Sequence, residues 1–262
     1  MNSRDIAEIF RTCLGATQSA IEVDLFAAEL TRANLDLVAA ALAEARVIAA
    51  LAGPPIHPRD AIMSLYTAKL AELAQLFPVF FVFESAFRAF TSARLAIAYG
   101  DDQWWAPVRD ALERNHNLRS LQRLGKRPAT RDVVDTVAHL LRGMGPGAAG
   151  VASSYDLLEG GTLAHVERLI YSHWTIIDQG LRHPLARPPL TASSFRNLFK
   201  IVRLARNDTY HHRSVQHRPR LVTTSELLLD MLDISLDARM TALAKIQPPP
   251  LTFSIPVAPR HG

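Results

Sequence analysis

The chain has 262 residues, a mass of 29.0 kDa, 48% hydrophobic residues and a formal net charge of +4. This size and apolar content permit a substantial core and exclude wholesale disorder. The single cysteine, Cys13, excludes an internal disulfide framework and any multi-cysteine metal site. It also fits a reducing compartment, so we expect a cytoplasmic protein built around one large domain.

The most apolar stretch, LFPVFFVF at residues 76–83, predicts a buried helix and not a membrane span. It contains Pro78, is followed by Glu84, and is far shorter than the roughly 20 apolar residues that a spanning helix needs. The N-terminus also lacks the long apolar segment of a secretory signal. We therefore expect no membrane association.

Apolar residues recur at spacings of three and four along most of the chain, which is typical of helices. In chain order, the predicted helices cover residues 28–52, 58–77, 79–100, 103–115, 131–142, 162–181, 191–211 and 224–246. The glycine-rich stretch 143–150 predicts a flexible break and not a phosphate loop, because no Lys-Ser/Thr pair follows it. The pattern predicts an all-α fold with an N-terminal helical extension (1–55), a helical domain (58–247) and a proline-rich tail (248–262).

Basic residues are concentrated in two segments. Between Arg182 and Arg220 there are nine Lys or Arg residues and one acid, Asp208. Between Arg114 and Arg131 there are six basic residues and no acid. Such segregation favours a polyanionic partner, although a solvated basic surface would give the same count.

The helix predicted over residues 191–211 has two faces that differ in chemistry. At about 100° per residue, one apolar stripe should face the core: Phe195, Leu198, Phe199 and Val202. Another face carries Lys200, Leu204, Asn207 and His211, with Arg203 at its edge.

Arg206 does not fit this division, because it continues the apolar stripe. A guanidinium that points towards the interior must be paired or must open into a cleft. Glu84, the one acid in VFFVFESAFRAF, is a candidate partner.

The stretch Arg206-Asn207-Asp208-Thr209-Tyr210-His211 resembles the R-x4-6-H motif of the HEPN superfamily. The adjacent His212 is similar to the double histidine of its abortive-infection (Abi-like) members. FESAFRAF resembles the E-x-x-L-R helix of that group, with Glu84 and Arg88 in place and a Phe in the Leu position. The segments 99–105 and 157–174 are also similar to its middle region, so the resemblance covers about residues 75–215.

The resemblance implies a HEPN-type helical bundle, usually dimeric, and a metal-independent endoribonuclease that acts in phage defence or as a toxin with an antitoxin. RNA carries its own nucleophile, the 2′-OH. His211 would move a proton, Arg206 would stabilise the phosphorane, and Asn207 would orient one of them. Supporting roles are expected for Glu84, Arg203, His212 and Lys200.

A single active histidine per chain cannot easily act as both acid and base, so the resemblance and the chemistry together favour a homodimer. His212 is a second candidate, but successive helical residues point about 100° apart. We expect RNA as substrate, with an antitoxin or another defence-system protein as a further partner. The sequence disfavours adenylylation control, because Arg213 stands where the branch controlled in that way has a tyrosine.

Three alternatives stay open at the level of sequence. The main one is a catalytically inactive HEPN module that binds RNA or a partner protein, and another is a helical adaptor. Metal catalysis ranks lowest. His165 and His173 lie eight apart on one predicted helix, but no ligand set forms around them. We therefore expect no metal and no cofactor.

Overall fold

The computed structural model describes Phe26 and residues 33–52, 57–183, 189–211, 213, 215 and 217–237. Within these residues the chain is all-α apart from one short β-hairpin, so the predicted fold class is confirmed. The proline-rich tail predicted at 248–262 and most of the predicted extension at 1–55 lie outside the described residues.

The structure describes ten α-helices in these ranges. In chain order they are α1 (Leu35–Ala52), α2 (Pro58–Ala74), α3 (Leu76–Tyr99), α4 (Ala106–Glu113), α5 (Arg131–Met144), α6 (Ser154–Glu159), α7 (Leu163–Ser172), α8 (Trp174–Ile177), α9 (Ala192–Tyr210) and α10 (Arg218–Asp230). Short 3-10 turns cover Leu118–Ser120, Gly145–Gly150 and Asp178–Gly180. The hairpin consists of β1 (Arg123–Leu124) and β2 (Arg127–Pro128).

Helix α3 is the centre of the fold and contacts α2, α6, α7, α8, α9 and α10. Pro78 lies in its first turn, where a proline costs no helical hydrogen bond, so the helix begins before it rather than after it. Gly100, the last residue of the range predicted for this helix, ends it in the left-handed conformation with φ 70°. The position of α3 explains its apolar composition, because its residues contribute to two cores.

The two cores lie at opposite ends of α3. The first is built on aromatic rings of α3 and α9, with the ring centroids of Phe83, Phe87 and Phe199 between 4.7 and 5.1 Å apart. The second surrounds Tyr99, whose ring stacks on Trp104 at 4.6 Å, and includes α4, α5 and α6. Burial of so many large side chains is the main stabilising contribution to the fold.

Helices α1 and α2 pack against each other around a small core of their own, which includes Phe26, Val38, Leu42 and Ile62. The predicted start of the first helix, 28–32, lies outside the described residues. From Leu35 onward the helix is present, and the Asn34 side chain accepts the Leu37 N–H at 3.0 Å as its cap.

The prediction of one continuous helix over residues 162–181 is wrong. It is interrupted at His173, where φ is −119°, and continues as α8 and a 3-10 turn. The His173 ring bonds the Leu169 carbonyl at 2.8 Å and the Tyr99 hydroxyl at 2.7 Å. These side-chain bonds accompany the interruption, which lies at a position where the sequence has neither proline nor glycine.

The last predicted helix, 224–246, is shifted. Helix α10 begins at Arg218, with Pro219 in its first turn, and ends at Asp230. Asp233 follows with φ 63°, a left-handed conformation that stops a helix. Residues beyond 237 lie outside the described part of the chain.

The helical stretch Arg59–Tyr99 is long and apolar enough to cross a membrane by length and composition, and a third of its most apolar window is buried in the protein. Within α3, one side packs against the first core while Phe81, on the other side, is 70% exposed. Glu84 and Arg88 on the same helix form an ion pair.

Candidate functional site

Helix α9 carries the predicted site and places its apolar stripe as expected. Phe195, Phe199 and Val202 are buried, and Leu198 packs against the same core. Arg206 follows on this side of the helix, where it is half-buried at the end of the stripe. The sequence therefore correctly indicated that this guanidinium turns towards the protein.

Arg206 is paired with Glu84, the acid that the sequence indicated as its candidate partner. The Arg206 Nε donates to Glu84 Oε2 at 3.1 Å, and Nη2 reaches Oε1 at 3.5 Å. Both oxygens of one carboxylate thus receive the guanidinium, which is the fork geometry that fixes an arginine in orientation as well as position. The Arg206 Cζ lies over the Tyr210 ring, 3.9 Å from the ring centroid, which is a cation–π contact.

Arg88 forms a second ion pair with the Glu84 carboxylate. It pairs with Glu84 one helical turn away and donates to the Gly161 carbonyl at 2.8 Å. Arg88 is 6% exposed, so Glu84 shares its charge with one buried and one half-buried cation. The Nη1 atom of Arg88 is buried without a hydrogen-bond partner among the described residues.

These residues line a cleft of about 220 Å³ between α3, α6 and the end of α9. Its walls combine two arginines and two carboxylates with three aromatic rings, two of them tyrosines, and one serine: Arg88, Arg206, Glu84, Glu159, Phe81, Tyr155, Tyr210 and Ser85. A phosphate that enters such a cleft can meet the remaining N–H groups of Arg206. The recorded bonds to described residues use three of its five donors.

His211 lies at the C-terminal end of α9 and is exposed. Its backbone N–H bonds the Asn207 carbonyl at 3.0 Å, which is a helix-end contact. On an ideal helix its side chain points about 140° away from that of Arg206. The Asn207 amide oxygen turns towards Arg206 at a distance of 3.5 Å, so Asn207 is associated with the guanidinium and not recorded in a bond to the imidazole.

The other supporting candidates are distributed differently. Arg203 bonds Glu167 at 2.5 Å, and Arg196 reaches the same carboxylate at 3.3 Å. Glu167 is 7% exposed, so Arg203 serves this buried carboxylate instead of the cleft. Lys200 is exposed on α9, and His212 lies outside the described residues.

Several residues of the cleft were not among the predicted site residues, including Arg88, which the sequence placed only in the family resemblance. Arg88 stands four residues after Glu84, a spacing that predicts a helical ion pair, and this signal was available. Helix α6, which supplies Tyr155 and Glu159, was not predicted. Its start carries a capping box in which Ser153 and Asp156 cap each other, and the S-x-x-D pattern would have indicated it.

His165 and His173 point to different surroundings, although one helix was predicted to carry both. The His165 Nδ1 accepts the Thr162 N–H at 3.1 Å, whereas His173 is buried against Tyr99. Burial lowers the pKa of both histidines, and it raises the pKa of Tyr99 to about 12. Within the described ranges, no three His, Cys, Asp or Glu side chains come together as a metal site would require.

No protein-family model, curated protein or solved structure matches the chain. What the site can do therefore follows from its own contacts, of which the bond between Arg206 and Glu84 is the most specific.

Proposed function

We propose that the chain is a metal-independent endoribonuclease of the HEPN type that cleaves RNA through attack of its 2′-OH. The observation that supports this proposal is the arginine of the R-x4-H sequence, held by Glu84 at the wall of a cleft. A fixed guanidinium that still has free donors suits the non-bridging oxygens of a phosphodiester, because charge increases there in the transition state.

The reaction would proceed with a balanced transfer of two protons. The 2′-oxygen bonds to phosphorus as a general base takes its proton, and the bond from phosphorus to O5′ breaks as a general acid protonates the leaving oxygen. The products are a 2′,3′-cyclic phosphate and a 5′-hydroxyl. His211 is the candidate for these proton transfers because imidazole titrates near neutral pH.

The proposal includes a homodimer, because the reaction needs a general base and a general acid and each chain has one His211. His211 is exposed, which leaves it accessible to a second subunit. We further propose the cytoplasm as the site of action and phage defence or a toxin–antitoxin pair as the setting. The basic segments and the cleft supply the means to bind RNA.

The test is incubation of purified protein with total RNA in EDTA, followed by analysis of the RNA ends. We expect cyclic-phosphate and 5′-hydroxyl ends from the wild type, and loss of cleavage in His211→Ala and Arg206→Ala. The matched controls are His57→Ala and Arg142→Ala, which remove exposed side chains of the same type elsewhere. Cleavage that persists in His211→Ala would contradict the assignment.

A second candidate is an inactive HEPN module that binds RNA or a partner protein. One observation favours it: the residues that line the cleft, all in the described part of the chain, do not include a histidine. Under this alternative the wild type binds RNA without cutting it at any protein concentration. Arg206→Ala would then weaken binding, while His211→Ala would leave it unchanged.

A further inference from the structure

A second basic surface lies at the far end of α3, around the β-hairpin. We call it the hairpin surface and define it by six exposed basic side chains: Arg114, Arg119, Arg123, Lys126, Arg127 and Arg131. The two strands pair in antiparallel register, with Arg123 opposite Pro128 and Leu124 opposite Arg127. The sequence predicted no helix or strand for residues 116–130.

The hairpin is firmly attached to the core. Leu124 is fully buried in the second core, and the Lys126 N–H bonds the Tyr99 carbonyl at 2.8 Å. Gly125 turns the chain with φ 53°, and a Cβ at this position would lie 2.5 Å from the Tyr99 oxygen. The backbone approaches α3 so closely that a glycine is required. The charges are therefore presented from a fixed frame.

These cations are poorly neutralised. Arg131 has the one ion pair recorded for the six within the described residues, with Asp135 at 3.5 Å. Arg123 and Arg127 bond the carbonyls of Lys126 and Ala98, which orients them and leaves their charge intact. The nearby Asp101 and Asp102 each accept a backbone N–H. Such an uncompensated cluster disfavours the compact state by self-repulsion unless an anion binds it.

We propose that the hairpin surface binds the phosphate backbone of the RNA whose scissile linkage lies in the cleft at Arg206. The assignment of RNA rests on the proposed function. Phosphate is favoured over bases because residues 114–131 contain no Phe, Tyr or Trp on which a base could stack. A membrane surface is disfavoured because Leu124, the apolar residue within the strands, is buried.

The distance between the two surfaces sets a length for the RNA. Glu84 and Tyr99 are fifteen residues apart on α3, which corresponds to about 22 Å along the helix axis. At a stacked rise of about 3.4 Å, this distance is about seven steps, so a strand needs about eight nucleotides to cover it. RNA shorter than this reaches the cleft without touching the hairpin surface.

The test measures binding of a fluorescent single-stranded 12-mer and a trimer to His211→Ala protein, so that cleavage is not needed. Arg123→Gln/Lys126→Gln should reduce the slope of log Kd against log salt by about 1.4 for the 12-mer, because two phosphate contacts are lost. The trimer should bind unchanged. Arg114→Gln/Arg119→Gln removes the same charge without altering a strand and should act similarly, whereas Arg46→Gln/Arg142→Gln should have no effect.

An unchanged salt slope for the 12-mer in both hairpin variants would overturn the inference, as would an equal loss of trimer binding. Binding to phosphatidylserine vesicles that is stronger than binding to the 12-mer would instead identify a membrane surface and also overturn it. Failure of the nuclease proposal is separate. A wild type that binds the 12-mer through the hairpin and never cuts RNA supports the surface and contradicts the enzyme.

Discussion

Glu84 and Arg206 connect helices α3 and α9 across 122 positions of sequence, with the Arg206 Nε donating to the Glu84 Oε2 at 3.1 Å. Arg88 binds the same carboxylate from within α3. These three residues lie beside the first core and also line the cleft. The integrity of this cluster should therefore affect both stability and activity.

Glu84→Gln should lower the free energy of unfolding by roughly 3 kcal/mol, because Arg88 would remain buried without its counter-ion. It should also reduce RNA cleavage by releasing Arg206. The matched control is Glu44→Gln, which neutralises the carboxylate that pairs with Lys69. Because Glu44 is 47% exposed, this change should cost less than about 1 kcal/mol. Chemical denaturation measures the free energy of unfolding of both variants. Equal losses in the two variants would show that burial of the cluster contributes nothing.

Arg206→Lys should keep the charge and lose the activity. A lysine ammonium cannot grip both carboxylate oxygens and present further planar donors to a phosphate. We expect cleavage of RNA to fall by about 100-fold or more, the typical cost of one transition-state donor. The fold should survive because the side chain is 27% exposed. Full activity in this variant would indicate that a point charge suffices there.

Acid should destabilise the protein through His173. Its pKa is lowered in the folded state, chiefly by burial, so below about pH 6.5 the unfolded chain binds the proton more readily. Stability should therefore be complete above that pH and decline as pH falls through it, by at most about 1.4 kcal/mol per pH unit for this group. His165 contributes in the same direction.

The comparison of free energies of unfolding at pH 7.5 and pH 5.0 in wild type and His173→Asn isolates this contribution. The variant should be less stable at pH 7.5 and should lose less on acidification. Tyr99→Phe is a second check, because it removes the hydroxyl that bonds the His173 Nε2 at 2.7 Å. An identical pH dependence in wild type and His173→Asn would contradict the prediction.

Gly125→Ala should destabilise the hairpin by about 1 to 3 kcal/mol, since it combines a left-handed φ of 53° with a Cβ placed against the Tyr99 carbonyl. Gly147→Ala is the control, because nothing lies within 4 Å of its added Cβ and its φ is not in the left-handed range. Thermal denaturation should separate the two, and equal midpoints would show that the turn tolerates a side chain.

Much of the fold follows from local patterns. The apolar stripe of α9 and the glycine after α3 were readable from spacing and turn chemistry alone. The position of Arg206 on that stripe also indicated a buried partner, and the scarcity of acids in α3 pointed to Glu84. In these cases the local preference and the tertiary contact agree, which is why short-range reasoning succeeded.

The features that could not be read depend on contacts distant in sequence. His173, at the interruption of its helix, forms a hydrogen bond with the Tyr99 hydroxyl on α3. The hairpin forms where Lys126 meets the end of the same helix. The free positive charge of α9 was overestimated from the sequence. Glu167, which lies between His165 and His173 in the sequence, forms ion pairs with Arg196 and Arg203.

Under the proposed function, Glu167 would also affect which part of the molecule an approaching RNA meets first. A carboxylate that draws two guanidinium groups against α7 cancels much of their field beyond the surface. Diffusional capture would then be steered from the opposite end of α3, and a bound strand would reach the cleft in a later, slower step. Encounter and chemistry would thus be separated in space by the length of one helix.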